Sequence, residues 1–321
     1  MAASLRMIPP AGAAAFVRRA GWGGARIVPL AGDASFRRYF RVIDDARSAV
    51  LMDAPPEHED SRPFLAVAAH LAGLGLAAPR VLASDLDQGL ILLEDFGDAR
   101  MAEVIAADAA RERPVYEAAI DLLRTLHRHP AGPLPPYDEA VYAREVGLFA
   151  EWYMPAVGLS AAPGYAGAWA EALAPILNDR SVTVLRDYHA ENIMLLPDGT
   201  LGLLDFQDAL AGHPAYDLVS LLQDARRDVP PALEAAMLER YGAVDRTAYA
   251  LLGAQRNAKI LGIFTRLWKR DGKPRYLGYQ PRVWGYLERD LAHPALAPVK
   301  AWFDAHVPVD ARAQFWATPR A

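Results

Sequence analysis

The spacing of apolar residues changes once along this chain, and the change falls near Glu94-Asp95-Phe96-Gly97. Before it, apart from one helix candidate, apolar residues fall in short strand-like runs broken by turn formers. After it, they recur at helical spacing. Such a switch predicts a small strand-rich part followed by a larger helical one, an α+β arrangement of two lobes. Residues 26–30 form a short apolar run, and Ala31-Gly32-Asp33-Ala34 is a turn. Residues 35–43 then alternate, with Phe36, Arg38, Phe40 and Val42 on one face and Arg37, Tyr39 and Arg41 on the other. Residues 48–52 read as the next strand, ended by Pro55-Pro56. A helix is expected over 62–73, with Pro63 in its first turn, and two further strands over 81–84 and 89–93. Beyond the switch, 111–129 and 142–152 read as helices joined by a Pro-rich connector at 130–136. A hairpin interrupts them at 182–206, and the chain after Tyr216 is helical again. The boundary is placed at 1–95 for the first lobe and 96–321 for the second.

Composition narrows what such a chain can do. Hydrophobic residues make up 53% and charged residues 23% of 321, which excludes disorder as the main state. With 34 Lys and Arg against 39 Asp and Glu, the net charge of −5 is a poor match for a nucleic-acid partner. The absence of cysteine excludes disulfides, thiolate zinc sites and cysteine nucleophiles. His127, His129, His189 and His213 lack metal-ligand spacing. No apolar stretch approaches the roughly 18 residues of a membrane span. Pro9-Pro10 interrupts the Ala-rich N-terminus, so no signal peptide is read and a cytoplasmic location is expected. No obligate protein partner is evident.

The chemistry concentrates in the hairpin. Leu185-Arg-Asp-Tyr-His-Ala-Glu-Asn192 leads into 193–196, then Pro197-Asp198-Gly199-Thr200, then 201–206. A two-residue turn at Asp198-Gly199 predicts the pairs Pro197/Thr200, Leu196/Leu201, Ile193/Leu204 and Asn192/Asp205. An amide oxygen and a carboxylate on opposed positions are the hard ligands that Mg²⁺ takes alongside water and phosphate. Asp187, five residues before Asn192, is placed to accept a hydroxyl proton. Base, metal-binding Asn and metal-binding Asp in this order reproduce a phosphoryl-transfer constellation.

These segments, with Gly212-His-Pro-Ala-Tyr-Asp-Leu218, resemble the aminoglycoside phosphotransferase and choline kinase superfamily, whose fold is protein-kinase-like. More narrowly the chain is similar to the anomeric kinases of N-acetylmuramate and N-acetylglucosamine in peptidoglycan recycling. That likeness rests on Gly32-Asp-Ala-Ser-Phe-Arg-Arg-Tyr-Phe-Arg41, Val50-Leu-Met-Asp-Ala-Pro-Pro56, Leu92-Leu-Glu-Asp-Phe96, Leu261-Gly-Ile-Phe-Thr-Arg266 and Arg270-Asp-Gly-Lys-Pro274. Together the matches run from about residue 26 to 290. The resemblance implies ATP and Mg²⁺ as cofactors, an amino sugar as acceptor, Asp187 as base, and Asn192 and Asp205 as metal ligands. It implies a phosphate-covering turn from Gly32 to Ser35 and an adenine-binding hinge from Glu94 to Phe96. Arg186, His189 and Asp217 would support the catalytic loop, although Asp217 serves equally as an N-cap for the helix that follows.

One departure is informative. Kinases pair a strand Lys with a helix Glu to hold the phosphates. Here Met52 stands at the expected strand position, no Lys precedes Lys259, and the helix over 62–73 carries no acid. Arg37 is the favoured replacement, with Arg38 next, because guanidinium suits phosphate geometry. The missing Lys keeps a nucleotide-binding pseudokinase open. At the acceptor end, Arg256, Lys259, Ile263, Arg266 and Arg270 follow helical steps of three and four. Arg256, Lys259 and Arg266 are either a solvated basic face or the lining of a pocket for an anionic acceptor. An aminoglycoside, choline or homoserine acceptor remains the alternative.

Overall fold

The structure, a computed structural model, describes residues 8–30, 36–45, 47–160 and 162–312. Gly32 and Ser35 lie outside the described residues, and so does the turn they were expected to form. The chain divides into two compact units, residues 1–107 with 191–208, and residues 108–190 with 209–321. The second stretch of each unit shows that the division does not follow the order of the chain.

The first unit is built on a five-stranded antiparallel sheet of order β1-β2-β3-β5-β4, formed by β1 (Arg26–Pro29), β2 (Arg38–Asp44), β3 (Arg47–Asp53), β4 (Val81–Asp85) and β5 (Leu90–Glu94). Alternation along β2 and β3 sends Phe40, Val42, Ala49 and Leu51 to one face. There they pack with Leu90, Leu92 and the helix α1 (Ala13–Arg19), whose Phe16 and Val17 close that core. The Ala-rich N-terminal stretch thus contains a helix that the sequence analysis did not assign. Phe36 does not join Phe40 and Val42, with which the alternation grouped it. It precedes the first residue of β2, is 65% exposed, and stacks on His58 at 4.7 Å between ring centroids. The opposite sheet face carries Tyr39, Arg41, Val50 and Met52, with α2 (Arg62–Gly73) and α3 (Met101–Ala107) completing the unit's helices.

A hairpin, β7 (Ile193–Leu195) and β8 (Leu201–Leu203), belongs to this unit by its hydrogen bonds. Leu195 N–H donates to Ala99 O at 2.8 Å and Leu203 N–H to Ala77 O at 2.8 Å. Its register is one residue off the expected one: Ile193 pairs with Leu203, Met194 with Gly202 and Leu195 with Leu201. Pro197 has no N–H with which to close a two-residue turn. The loop widens to Pro197-Asp198-Gly199, with Gly199 at φ 86° and bonds of 2.9 Å from Leu196 N–H to Thr200 O and from Gly199 N–H to Leu196 O. A left-handed Gly closing a three-residue loop is the usual way to absorb the extra residue.

The second unit is mainly helical. Its elements are α4 (Glu112–Leu126), α5 (Glu139–Leu148), a π-turn at Phe149–Tyr153 running into α6 (Met154–Ala156), α7 (Tyr165–Leu173), α8 (Ala215–Leu222), α9 (Pro231–Tyr241), α10 (Arg246–Lys269), α11 (Gln280–Leu291) and α12 (Ala297–His306). A short ladder of β6 (Val182–Val184) with β9 (Leu210–Gly212) accompanies them. β6 pairs with β9 and stays out of the hairpin that the sequence placed over 182–206. The 24-residue α10 is the axis of the unit, and Asp245 caps it by accepting from Thr247 and Ala248 N–H. Its polar residues Gln255, Arg256 and Asn257 are as buried as its apolar ones, so it is surrounded by protein over most of its length.

Candidate active site

In the first unit the site is organised around Asp205. Leu204 N–H donates to Asn192 O at 2.9 Å, so Asn192 lies opposite Leu204 in the ladder. In a regular strand that one-residue slip would turn Asp205 to the other face. Asp205 instead takes φ 58°, which ends the strand and re-aims its side chain. Its Oδ2 is 3.5 Å from Asn192 Nδ2. Gln207 Nε2 donates to its Oδ1 at 2.9 Å and Arg37 Nη2 at 3.3 Å. The expected neighbours are therefore brought together, by a left-handed residue rather than by cross-strand pairing.

These residues fit Mg²⁺. Asp205 offers two oxygens and Asn192 a carboxamide whose two ends are assigned from hydrogen bonding. Gln207 Oε1 is buried without a hydrogen-bond partner, an oxygen still in need of a donor or a cation. Among the described residues no three His, Asp or Glu side chains form a metal cage. An ion held by one or two protein groups plus phosphate oxygens matches how Mg²⁺ is bound.

Arg37 immediately precedes β2, two residues before Tyr39, whose cross-strand partner is Met52 at the position where a strand Lys is missing. Burial opposes its charge, and Tyr39, Asp205, Glu59 and Asp208 hold its pKa above the ordinary value. Arg38 points the other way and is paired with the buried Asp53 at 2.5 Å. At the end of β5, Glu94 accepts from Arg80 Nε at 2.9 Å. Asp95, in the middle of the expected hinge, accepts from Gly97 N–H at 2.9 Å and pairs with Arg41 at 2.8 Å. Phe96 lies on β8, where a Cβ added to Gly202 would stand 2.6 Å from its ring.

In the second unit the loop carrying Asp187 is held by Asp217 and Glu145. Asp217 lies inside the first turn of α8, not at its N-cap, and is fully buried. It accepts from Leu185 N–H at 2.7 Å and Arg186 N–H at 2.9 Å, while burial pushes its carboxyl up to about 7. Arg186 has φ 71°. The described residues contain three non-glycine positions with positive φ; two are Arg186 and Asp205, and the third, Asp45, is in the β2–β3 turn. Strain of this kind costs about 1–3 kcal/mol and persists where neighbours enforce it.

Burial raises the Asp187 pKa, but Lys259, His189, Arg256 and Arg186 outweigh it and leave the carboxyl below its ordinary value. Asp187 is therefore ionised at neutral pH. His189 is buried, accepts from Arg226 at 3.1 Å on Nε2, and is pushed down to about 4 by burial and by the Arg226 charge.

The three basic candidates on α10 separate. Arg256 is 3% exposed and donates to Ser220 Oγ at 2.9 Å, which places it behind the loop. Lys259 Nζ is 2.7 Å from Glu145 and 3.3 Å from Tyr216 Oη. Arg266, about two turns further along, is near Glu151, Arg270 and Asp271, and burial lowers its pKa. Trp268 lies under Lys269, and Tyr276 and Tyr279 pack on Phe264. Glu145 was missed by the sequence reading, although a signal exists. It sits on the same face of α5 as Tyr142 and Val146, and an acid in an apolar stripe needs a buried partner.

The family model described as "Phosphotransferase enzyme family" matches residues 26–252. A protein of Caulobacter vibrioides named N-acetylmuramate/N-acetylglucosamine kinase is 42% identical over 93% of this chain and 97% of its own length. A protein of the same name from Pseudomonas aeruginosa is 41% identical over 86% of this chain and 88% of its own. Among solved structures, a choline/ethanolamine kinase family protein from Mesorhizobium loti shares the fold, with a TM-score of 0.63, 18% identity, and coverage of 91% of this chain and 97% of that one.

Proposed function

Because this chain belongs to the phosphotransferase enzyme family, we propose that it transfers the γ-phosphoryl group of ATP to the anomeric hydroxyl of N-acetylmuramate or N-acetylglucosamine. The observation that carries the acceptor is the shared name of relatives 35–42% identical over at least 84% of the chain. A cytoplasmic enzyme returning cell-wall sugars to metabolism fits that acceptor.

In this reading Asp187 accepts the proton of the C1 hydroxyl. The hydroxyl oxygen bonds the γ-phosphorus while the bridging oxygen leaves with ADP. The low pKa of Asp187 keeps it ready as an acceptor and a weak base, which suits a loose transition state in which the proton moves late. Arg37 takes the phosphate-neutralising task of the absent Lys. Backbone groups of 94–96 hold the adenine. Asn192 and Asp205 would hold Mg²⁺, which when bound would supply charge neutralisation for the phosphates. Lys259 is the cation on the acceptor side, with Arg266 further out. Most of the rate comes from positioning and charge neutralisation.

The test is coupled ADP release with Mg·ATP, offering N-acetylmuramate, N-acetylglucosamine, choline and kanamycin in parallel. Release with the N-acetyl sugars alone, and a phosphorus resonance of an anomeric phosphate in the product, is the expected result. Release with choline or kanamycin only would reassign the acceptor. ATP binding without turnover on any acceptor would leave a nucleotide-binding protein.

A further inference from the structure

Arg186, the residue before the proposed base, is fixed at every polar group of its backbone and at its side chain. Its N–H goes to Asp217, its carbonyl accepts from Ser220 Oγ at 3.1 Å, and its guanidinium ends on Glu145. Glu145 gathers three more donors: Lys259 Nζ at 2.7 Å, Gln255 Nε2 at 2.9 Å and the Tyr137 hydroxyl. Four donors from the connector, the catalytic loop and α10 thus converge on one carboxylate that is 3% exposed. Two of them are cations, more than one buried acid needs for its own neutralisation. The surplus positive charge is left for the next anion along the loop, Asp187, whose carboxylate is stabilised first of all by Lys259.

We propose that Glu145 is a positioning residue of the phosphoryl-transfer reaction: by pinning Arg186 and Lys259 it fixes the loop and the cation beside Asp187, and so governs turnover rather than nucleotide binding. This rests on Asp187 being the base, as read above. Glu145 touches neither reacting atoms nor phosphate in this scheme. Its effect is carried by two side chains whose own partners are on the page.

The lysines of this chain are Lys259, Lys269, Lys273 and Lys300, few enough for their side-chain nitrogens to be followed individually by ¹⁵N NMR. In Glu145→Gln the Lys259 amine is expected to titrate at least about one pH unit lower, since it loses its anionic partner. Turnover should fall on the order of tenfold or more with KM for ATP changed less than about twofold. The double variant Glu145→Gln/Lys259→Met should lose less than the two single losses combined, because Lys259 is one of the two side chains through which Glu145 acts. Lys259→Met alone should shift the acid limb of the kcat profile to higher pH, which a merely structural role would not do. This variant also serves if Glu145→Gln fails to fold. Unchanged Lys259 titration in Glu145→Gln overturns the pairing whether or not the sugars are phosphorylated. Full turnover in Glu145→Gln, additive losses in the double variant, or an unmoved acid limb in Lys259→Met overturns the positioning role. Silence of the wild type with every acceptor would instead refute the kinase reading and leave the NMR titration to decide the pairing.

Discussion

Asp187 and Asp205 are both acids at irregular backbone, and they are held in opposite ways. The loop of Asp187 is pinned: Asp217 and Ser220 take up the backbone of Arg186, Glu145 takes its guanidinium, and cations hold the carboxylate ionised. Around Asp205 the polar groups are gathered but one oxygen, Gln207 Oε1, is buried and unmatched. A base has to be in one place, so the loop that carries it is pinned by the protein itself. A metal-binding carboxylate has to keep coordination in reserve, so its surroundings are complete only when something is bound.

That contrast breaks most directly at Asp187. Asp187→Asn is expected to lower turnover at least about a hundredfold while leaving the thermal shift produced by Mg·ATP intact. Gln207→Ala tests the other side, with an expected loss of about 10–100-fold in the Mg²⁺ dependence of ATP binding and little change in binding without metal, measured by calorimetry. Arg37→Met should weaken Mg·ATP about tenfold, or about 1.4 kcal/mol, while Arg38→Met, whose partner is Asp53, should lower thermal stability more than affinity.

The smallest expected effect concerns acid. His127, bonded to Tyr241 at 2.8 Å, and His189 are both pushed down to about 4, chiefly by burial. The unfolded chain takes up these protons below about 6.5 and the folded one does not until about 4, so stability is lost as pH falls through that window. A loss of about 1 kcal/mol per histidine near pH 5.5 is expected in denaturant titrations. His127→Gln should flatten the profile. Both histidines are in the second unit, so hydrogen exchange at pH 5.5 should rise there before it rises in the sheet.

Much of this was legible in the sequence. Alternation placed Arg37, Tyr39 and Arg41 on one face of the run 35–43, and in the structure Arg37, just ahead of β2, reaches Asp205 while Arg41 reaches Asp95. What was illegible depends on single residues whose effect is not periodic. Pro197 and Gly199 moved the hairpin register by one, and the left-handed turn at Asp205 restored the neighbour that the register had removed. Reading charges at steps of three and four as one outward face also fails on α10. A helix enclosed on all sides turns Arg256 into a brace for Ser220, and no amphipathic pattern distinguishes the two. Glu145 was overlooked because its partners are scattered from residue 137 to 259, a distance that no local pattern spans.

The hairpin at 191–208 gives the first unit a peculiar history. During synthesis its sheet leaves the ribosome early, yet the strands that bond to Ala77 and Ala99 and cover Phe96 come out only after most of α4 to α7 has been made. The early product is a sheet with an open seam, and nascent chains with such seams are prone to wrong pairing. A fragment ending at Ala107 should therefore be poorly soluble, and adding residues 191–208 in trans is the complement it needs.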